Sequence, residues 1–129
     1  MIRVYLDASA IVKLVVEAPE STALVAYLAA ADEACTSAFS EIEVTRALRR
    51  LGLSAAEASP AIESLHVVAI DAAIRARASA LLPLNLRSAD AIHLATALEL
   101  GATGVQLVTY DARLAAAGRA HGFTVVQPG

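Results

Sequence analysis

Short apolar, β-branched runs alternate with Ala- and Leu-rich stretches along this chain, and that alternation narrows the fold more than any other feature. The runs fall at residues 2–6, 33–37, 66–70, 105–108 and 123–126. Each is too short for an independent helix, and Val, Ile, Thr or Tyr within it favours a strand. The segments between them carry helical punctuation. Residues 9–16 read as a short helix, and Pro19 opens another in which Leu24, Tyr27 and Leu28 share one face. Residues 39–51 are helical and close at Gly52. Residues 54–65 read as a helix begun by a Ser54/Glu57 capping box, with Pro60 disturbing its middle. Asp71 caps a helix to Leu82, Pro83 and Asn85 make a turn, and residues 86–100 form the best-defined helix, closed by Gly101. Asp111 caps a last helix to about His121. Strands that alternate with helices imply an α/β fold with a largely parallel sheet.

The length of 129 residues suits one domain, spanning 1–129, that buries roughly two-thirds of its unfolded surface. No apolar run approaches the ~20 residues of a membrane span. The first residues lead straight into a strand without a basic region, so no signal peptide is expected. The single Cys35 cannot form an internal disulfide and reads as a buried small hydrophobe, in keeping with a reducing cytoplasm. The net charge is −3, where a nucleic-acid binder is usually basic, so contact with nucleic acid would need a local patch or bound metal. Two Phe, three Tyr and no Trp argue against a base-stacking platform.

Chemistry concentrates in carboxylates at element ends. Asp7 follows the first strand and precedes a helix, and Asp111 repeats that placement after the fourth. At the C-terminal edge of a parallel sheet both would face the usual ligand crevice, although each also suits a helix N-cap. Asp90 is more unusual. Glu99, nine residues on, lies on the opposite side of the same helix, which leaves Asp90 facing inward with Leu86, His93 and Ala97. An inward acid needs a partner or a cation; the partner available in sequence is Arg87 at i−3. On the helix from Phe39, Val44, Ala47, Leu48 and Leu51 make the apolar face, with Glu43 at one border and Glu41 at the other. Spacing does not choose between them, and Glu43 could equally pair with Arg46 or Arg50 on the surface. If Asp7, Glu43, Asp90 and Asp111 converge, their repulsion calls for a cation, and oxygen-only ligation selects Mg²⁺ or Mn²⁺. The chain has neither the sulfur ligands nor the His pair of a zinc site, nor a Gly-rich phosphate loop.

Four stretches, in order, carry the acidic residues: Tyr5-Leu6-Asp7-Ala8-Ser9, Ser37-Ala38-Phe39-Ser40-Glu41-Ile42-Glu43-Val44-Thr45-Arg46-Ala47-Leu48, Leu86-Arg87-Ser88-Ala89-Asp90-Ala91-Ile92-His93-Leu94-Ala95-Thr96-Ala97 and Leu107-Val108-Thr109-Tyr110-Asp111-Ala112-Arg113-Leu114. Together they resemble a PIN-domain protein of the VapC-type toxin ribonucleases. The resemblance implies a PIN-like three-layer α/β/α fold with a mostly parallel sheet of about four to five strands. It implies a Mg²⁺- or Mn²⁺-dependent endoribonuclease toxin, usually a homodimer, acting on tRNA or ribosomal RNA. A VapB-type antitoxin with a DNA-binding domain would neutralise it. The family's acid before Val and an Arg-Ala step matches Glu43 rather than Glu41. Asp7 and Asp90 would then be direct metal ligands, with Glu43 and Asp111 completing the acidic metal pocket. Ser9 and Thr109 would orient a carboxylate or water, or else serve as ordinary cap and turn hydroxyls. Arg46 and Arg50, with Arg49 beside them, and Arg87 would meet the RNA backbone, or form a solvated helix face. His93 reads as a packed, hydrogen-bonded histidine more readily than as an acid–base group.

Two other readings share these features. A phospho-receiver-like signalling domain would use Asp71 as acceptor, but it wants paired acids after the first strand and a Lys after the last, and the chain's one Lys is Lys13. A PIN fold retained only as a binding module would keep the architecture without catalysis.

Overall fold

The computed structural model describes Met1 to Gly129. Along the chain it runs β1 Arg3–Leu6, α1 Ala8–Val15, α2 Ser21–Ala29, β2 Glu33–Ser37, α3 Ala38–Arg50, a 3₁₀ turn Ala55–Ala58, α4 Ser59–Glu63, β3 His66–Val68, α5 Ala72–Ala80, α6 Ser88–Leu100, β4 Val105–Val108, α7 Ala112–Ala120 and β5 Thr124–Val126. All strand pairings are parallel, in the order β3-β2-β1-β4-β5. The expected α/β class and sheet size are therefore met, with five strands.

Strand geometry splits β1 between two cores. Successive side chains point to opposite faces. Val4 and Leu6 pack with Ala10 and Ile11 of α1, Leu24 of α2 and Val44 and Leu48 of α3. Tyr5 points the other way, into a second cluster with Leu94 and Ala97 of α6, Leu107 and Leu114. Helices thus cover both faces, which makes three α/β/α layers and explains why the central strands carry almost no outward polar alternation. The α7 helix lies close on β4: a methyl group added at Gly118 would stand 2.5 Å from Leu107 Cδ2. Gly118→Ala gains helix propensity but overpacks the core, so a net loss of about 1 kcal/mol is expected in urea unfolding.

Several element boundaries differ from the sequence expectation. Pro19 precedes α2 by a turn rather than opening it, since the helix starts at Ser21. Residues 54–65 are not one helix. The Ser54 backbone N–H does donate to Glu57 Oε1 (3.3 Å), but Pro60 sits in the first turn of a separate α4. The strand from His66 stops at Val68, and the helix after Asp71 ends at Ala80 rather than Leu82. The best-defined helix starts at Ser88 rather than Leu86. Leu51 is the C-cap of α3 and is 60% exposed, so the apolar face closes at Leu48. No helix is long and apolar enough to cross a membrane.

The strand order places the site. The chain leaves β1 for β2 and β3 on one side, then returns to lay β4 on the other side of β1. Beside β1 the winding reverses, and ligands of open α/β sheets gather beyond the strand ends at such a point. Pairing of Leu6 with Val108 brings the two strand ends level, so Asp7 stands opposite Thr109.

Candidate active site

Asp7 ends β1 and caps α1, where its Oδ1 accepts from the Ala10 backbone N–H at 3.2 Å. Two hydroxyls complete its shell. Ser9 Oγ donates to Oδ1 at 2.7 Å and Thr109 Oγ1 to Oδ2 at 2.8 Å. Ser9 and Thr109 approach each other at 3.3 Å, and each also accepts a backbone N–H of the β4–α7 turn: Tyr110 N at 2.9 Å and Asp111 N at 3.1 Å, respectively. These hydroxyls therefore tie the Asp7 carboxylate to the β4–α7 turn. Burial pushes the Asp7 carboxyl above its ordinary range, against the opposing pull of these hydrogen bonds.

Asp90 lies in the first turn of α6, buried to 6% exposure. It forms no ion pair with Arg87, and its Oδ2 is a buried atom without a hydrogen-bond partner, a condition shared in this chain only with Gln106 Oε1. Burial raises the Asp90 carboxyl first, followed by the negative charge of Asp111, with Asp7 adding further. Asp7, Asp90 and Asp111 thus share one electrostatic neighbourhood. Glu99 is on the solvent side, as its spacing requires, in an ion pair with Arg77 (2.8 Å). Asp111 caps α7 through Oδ1, which accepts from Arg113 N (2.9 Å) and Leu114 N (3.0 Å); Oδ2 carries no bond within the chain.

Glu43 joins the group by a different route. It makes no surface pair with Arg46 or Arg50. Its Oε1 lies 2.6 Å from His93 Nε2, and His93 Nδ1 lies 2.7 Å from the Tyr5 hydroxyl. Glu41 is exposed, so α3 turns Glu43 rather than Glu41 toward this side. His93, 3% exposed, is packed and bonded at both ring nitrogens. Nothing in the sequence ties Tyr5 or His93 to Glu43. The available mark was a phenol within a buried run, where the hydroxyl must find a partner.

The four carboxylates do not close on one point: no set of three His, Cys, Asp or Glu side chains is arranged as a ready-made ligand shell. Asp7 and Asp111 each commit an oxygen to a cap, and Glu43 commits one to His93. Arg46, Arg50 and Arg87 are exposed and unpaired, and none of them touches a carboxylate of the group. Asp71 is exposed at the end of the outer strand β3, where it caps α5 through Ile74 N (2.9 Å), the N-cap role its position suggests. Cys35 is buried, and burial with the neighbouring Glu33 carboxylate pushes its thiol up to about 12. A cavity of about 430 Å³ lies elsewhere, between α5 and α6, and no carboxylate of the group lines it.

Known families, proteins and structures match this chain over nearly its whole length. The PIN domain profile matches residues 4–120. Ribonuclease VapC46 of Mycobacterium tuberculosis is 44% identical over 129 residues, covering 99% of each chain. Ribonuclease VapC47 of the same organism is 33% identical, covering 98% of this chain and 97% of its own. Among solved structures, a toxin–antitoxin complex from Klebsiella pneumoniae has a TM-score of 0.73 at 22% identity, covering 98% of both chains. VapBC2 from Rickettsia felis, bound to a promoter DNA fragment, has a TM-score of 0.71 at 12% identity, covering 99% of this chain and 100% of its own. These last two show the shared fold. With a family match over nearly the whole length and full-length relatives at this identity, the chain belongs to the PIN-domain family, among its VapC-type members.

Proposed function

We propose that this chain is a divalent-metal-dependent endoribonuclease toxin, a single PIN domain over residues 1–129 that hydrolyses phosphodiester bonds in tRNA or ribosomal RNA. The observation that carries the reading is Asp90 Oδ2. A buried carboxylate oxygen with no donor, raised in proton affinity by burial and then by two neighbouring carboxylates, is offset only in part by the charge of Arg87 and calls for a cation. The residues fit a hard cation. Every donor at hand is an oxygen, which suits Mg²⁺ or Mn²⁺ and disfavours zinc. Asp7 and Asp90 would hold the ion directly, and Glu43 and Asp111 would complete the pocket with the oxygens their other contacts leave free. When bound, such an ion neutralises phosphate charge and raises the acidity of an attacking water.

The protein's own groups do the rest. Ser9 and Thr109 fix both oxygens of Asp7, so the carboxylate need not reorganise when charge develops. Arg46, Arg50 and Arg87 supply exposed positive charge for the RNA backbone on a chain that is acidic overall. Named ribonuclease relatives of nearly equal length support the activity, and the neighbour that is a toxin–antitoxin complex supports a VapB-type antitoxin as partner. The chain acts in the cytoplasm as a homodimer, whose symmetry would place two acidic sites along one RNA-binding surface.

The test is incubation of the protein with total tRNA and with ribosomal RNA, with and without Mn²⁺, beside Asp7→Asn. Cleavage is expected for the parent with Mn²⁺ only. A parent that cuts neither RNA, or an Asp7→Asn variant that cuts as well as the parent, overturns the reading. Because Asn caps helices about as well as Asp, this variant should keep its thermal stability within roughly 0.5 kcal/mol on that account.

A further inference from the structure

We infer that His93 is a positioning residue for Glu43, held as its Nε2–H tautomer by the Tyr5 hydroxyl. The inference rests on the nuclease reading for its consequence, though not for its geometry. A carboxylate only accepts, so the 2.6 Å contact between Glu43 Oε1 and His93 Nε2 requires the proton on Nε2. On the other side, Tyr5 is fully buried in the central strand and its phenol is 2.7 Å from Nδ1. With the ring proton on Nε2, Nδ1 is bare and can only accept, so the phenol donates to it. Each nitrogen then has one fixed role.

The ring is also fixed in orientation. Tyr5 packs edge-on against the imidazole with centroids 5.9 Å apart, and Phe39, from the first turn of α3, does the same at 6.0 Å. Tyr5 in β1, His93 in α6 and Phe39 and Glu43 in α3 therefore lock three elements around one hydrogen bond. Glu43 needs this support. Its side chain is 30% exposed, and His93 is the one group of the chain that bonds it. Without the imidazole it would be a flexible surface acid, free to turn toward Arg46 or Arg50. With it, one oxygen is anchored and the second carries no bond within the chain.

Three readouts test this. In the first, ¹⁵N-labelled protein without metal is measured by NMR, and His93 should show a protonated Nε2 and a bare Nδ1. Tyr5→Phe should blur that single tautomer. In the second, Mn²⁺ affinity is measured by electron paramagnetic resonance for the parent, His93→Ala and His93→Gln. Loss of such an outer partner typically costs 10–100-fold in affinity or rate, so a weakening of about that size is expected for His93→Ala. A Gln amide N–H can take the place of Nε2–H, so His93→Gln should return to within about threefold of the parent. In the third, RNA cleavage should follow the same order, in kcat more than in KM. The proposal is overturned by a proton on Nδ1 in the parent, by His93→Gln as impaired as His93→Ala, or by a folded His93→Ala that binds Mn²⁺ normally. If His93→Ala does not fold, the parent's tautomer and His93→Gln still decide. A parent that cuts no RNA while the Mn²⁺ series holds would sink the nuclease reading and leave the positioning role standing.

Discussion

Asp90→Asn is expected to lower RNA cleavage by at least about a thousandfold while making the metal-free protein slightly more stable. A bound cation is worth several kcal/mol to a phosphoryl transition state, and each 1.36 kcal/mol is about tenfold in rate, so losing a principal ligand costs about three orders of magnitude. The stability effect has the opposite sign. Burial, the charge of Asp111 and the charge of Asp7 raise the Asp90 carboxyl in the folded state above its value in the unfolded chain. The folded protein therefore binds the proton more tightly, and the parent loses stability as pH rises from the ordinary carboxylate range through the raised folded value. The amide of the variant does not titrate, so the variant lacks that slope. A carboxyl held above its unfolded pKa costs stability once it ionises, so a small gain for the variant is expected at neutral pH. Mn²⁺ should reverse the order, because an ion at a hundredfold excess over its Kd stabilises the parent by about 2.7 kcal/mol and the variant by much less. Thermal melts of both proteins with and without Mn²⁺, run beside the cleavage assay, check all three statements. A variant that is destabilised without metal would show that Asp90 has a protein partner after all.

Local sequence pattern marks some residues of the candidate site and not others. Asp7 and Asp111 follow short apolar strands, and Asp90 breaks a nearly uncharged helix on its inward side; all three are local patterns with a physical meaning. That β4 lies beside β1, bringing Asp7 level with Thr109, is a property of strand order, which no local pattern encodes. Glu43 was the harder residue. The helix wheel puts it level with Glu41, and only the resemblance to PIN domains separates them. The physical reason that α3 presents Glu43 is His93, fifty positions along the chain, backed by Tyr5 from a third element. Boundary differences have similar causes. The 54–65 stretch divides at Pro60, and Leu51 leaves the apolar face because the chain turns there. Helix periodicity describes a face, and it does not report where tertiary contact ends.

The largest stability loss is expected from removing both hydroxyls around Asp7, in the double variant Ser9→Ala with Thr109→Val. Thr109 Oγ1 is the sole donor to Oδ2, and Ser9 Oγ is the shorter of two donors to Oδ1. Hydrogen bonds to charged groups contribute about 1.5–3 kcal/mol each, and a buried charge stripped of its partners costs about 3–5 kcal/mol. A loss in that upper range is expected, because the same hydroxyls also accept the Tyr110 and Asp111 backbone N–H groups. The two single variants should not sum to the double. The hydroxyls are 3.3 Å apart and share one carboxylate, so either can partly cover for the other. The pH dependence supplies the check on cause. Burial already raises Asp7, and these hydrogen bonds oppose the rise, so their removal lifts its folded pKa further above the unfolded value. The deficit should therefore grow as pH rises from the ordinary carboxylate range through the lifted pKa, and shrink below it, where Asp7 is protonated in both states. Urea unfolding of the parent, both single variants and the double across that interval measures it. A deficit that stays constant with pH would assign the two hydroxyls to the α1 cap and the β4–α7 turn alone, with no part in holding the Asp7 charge.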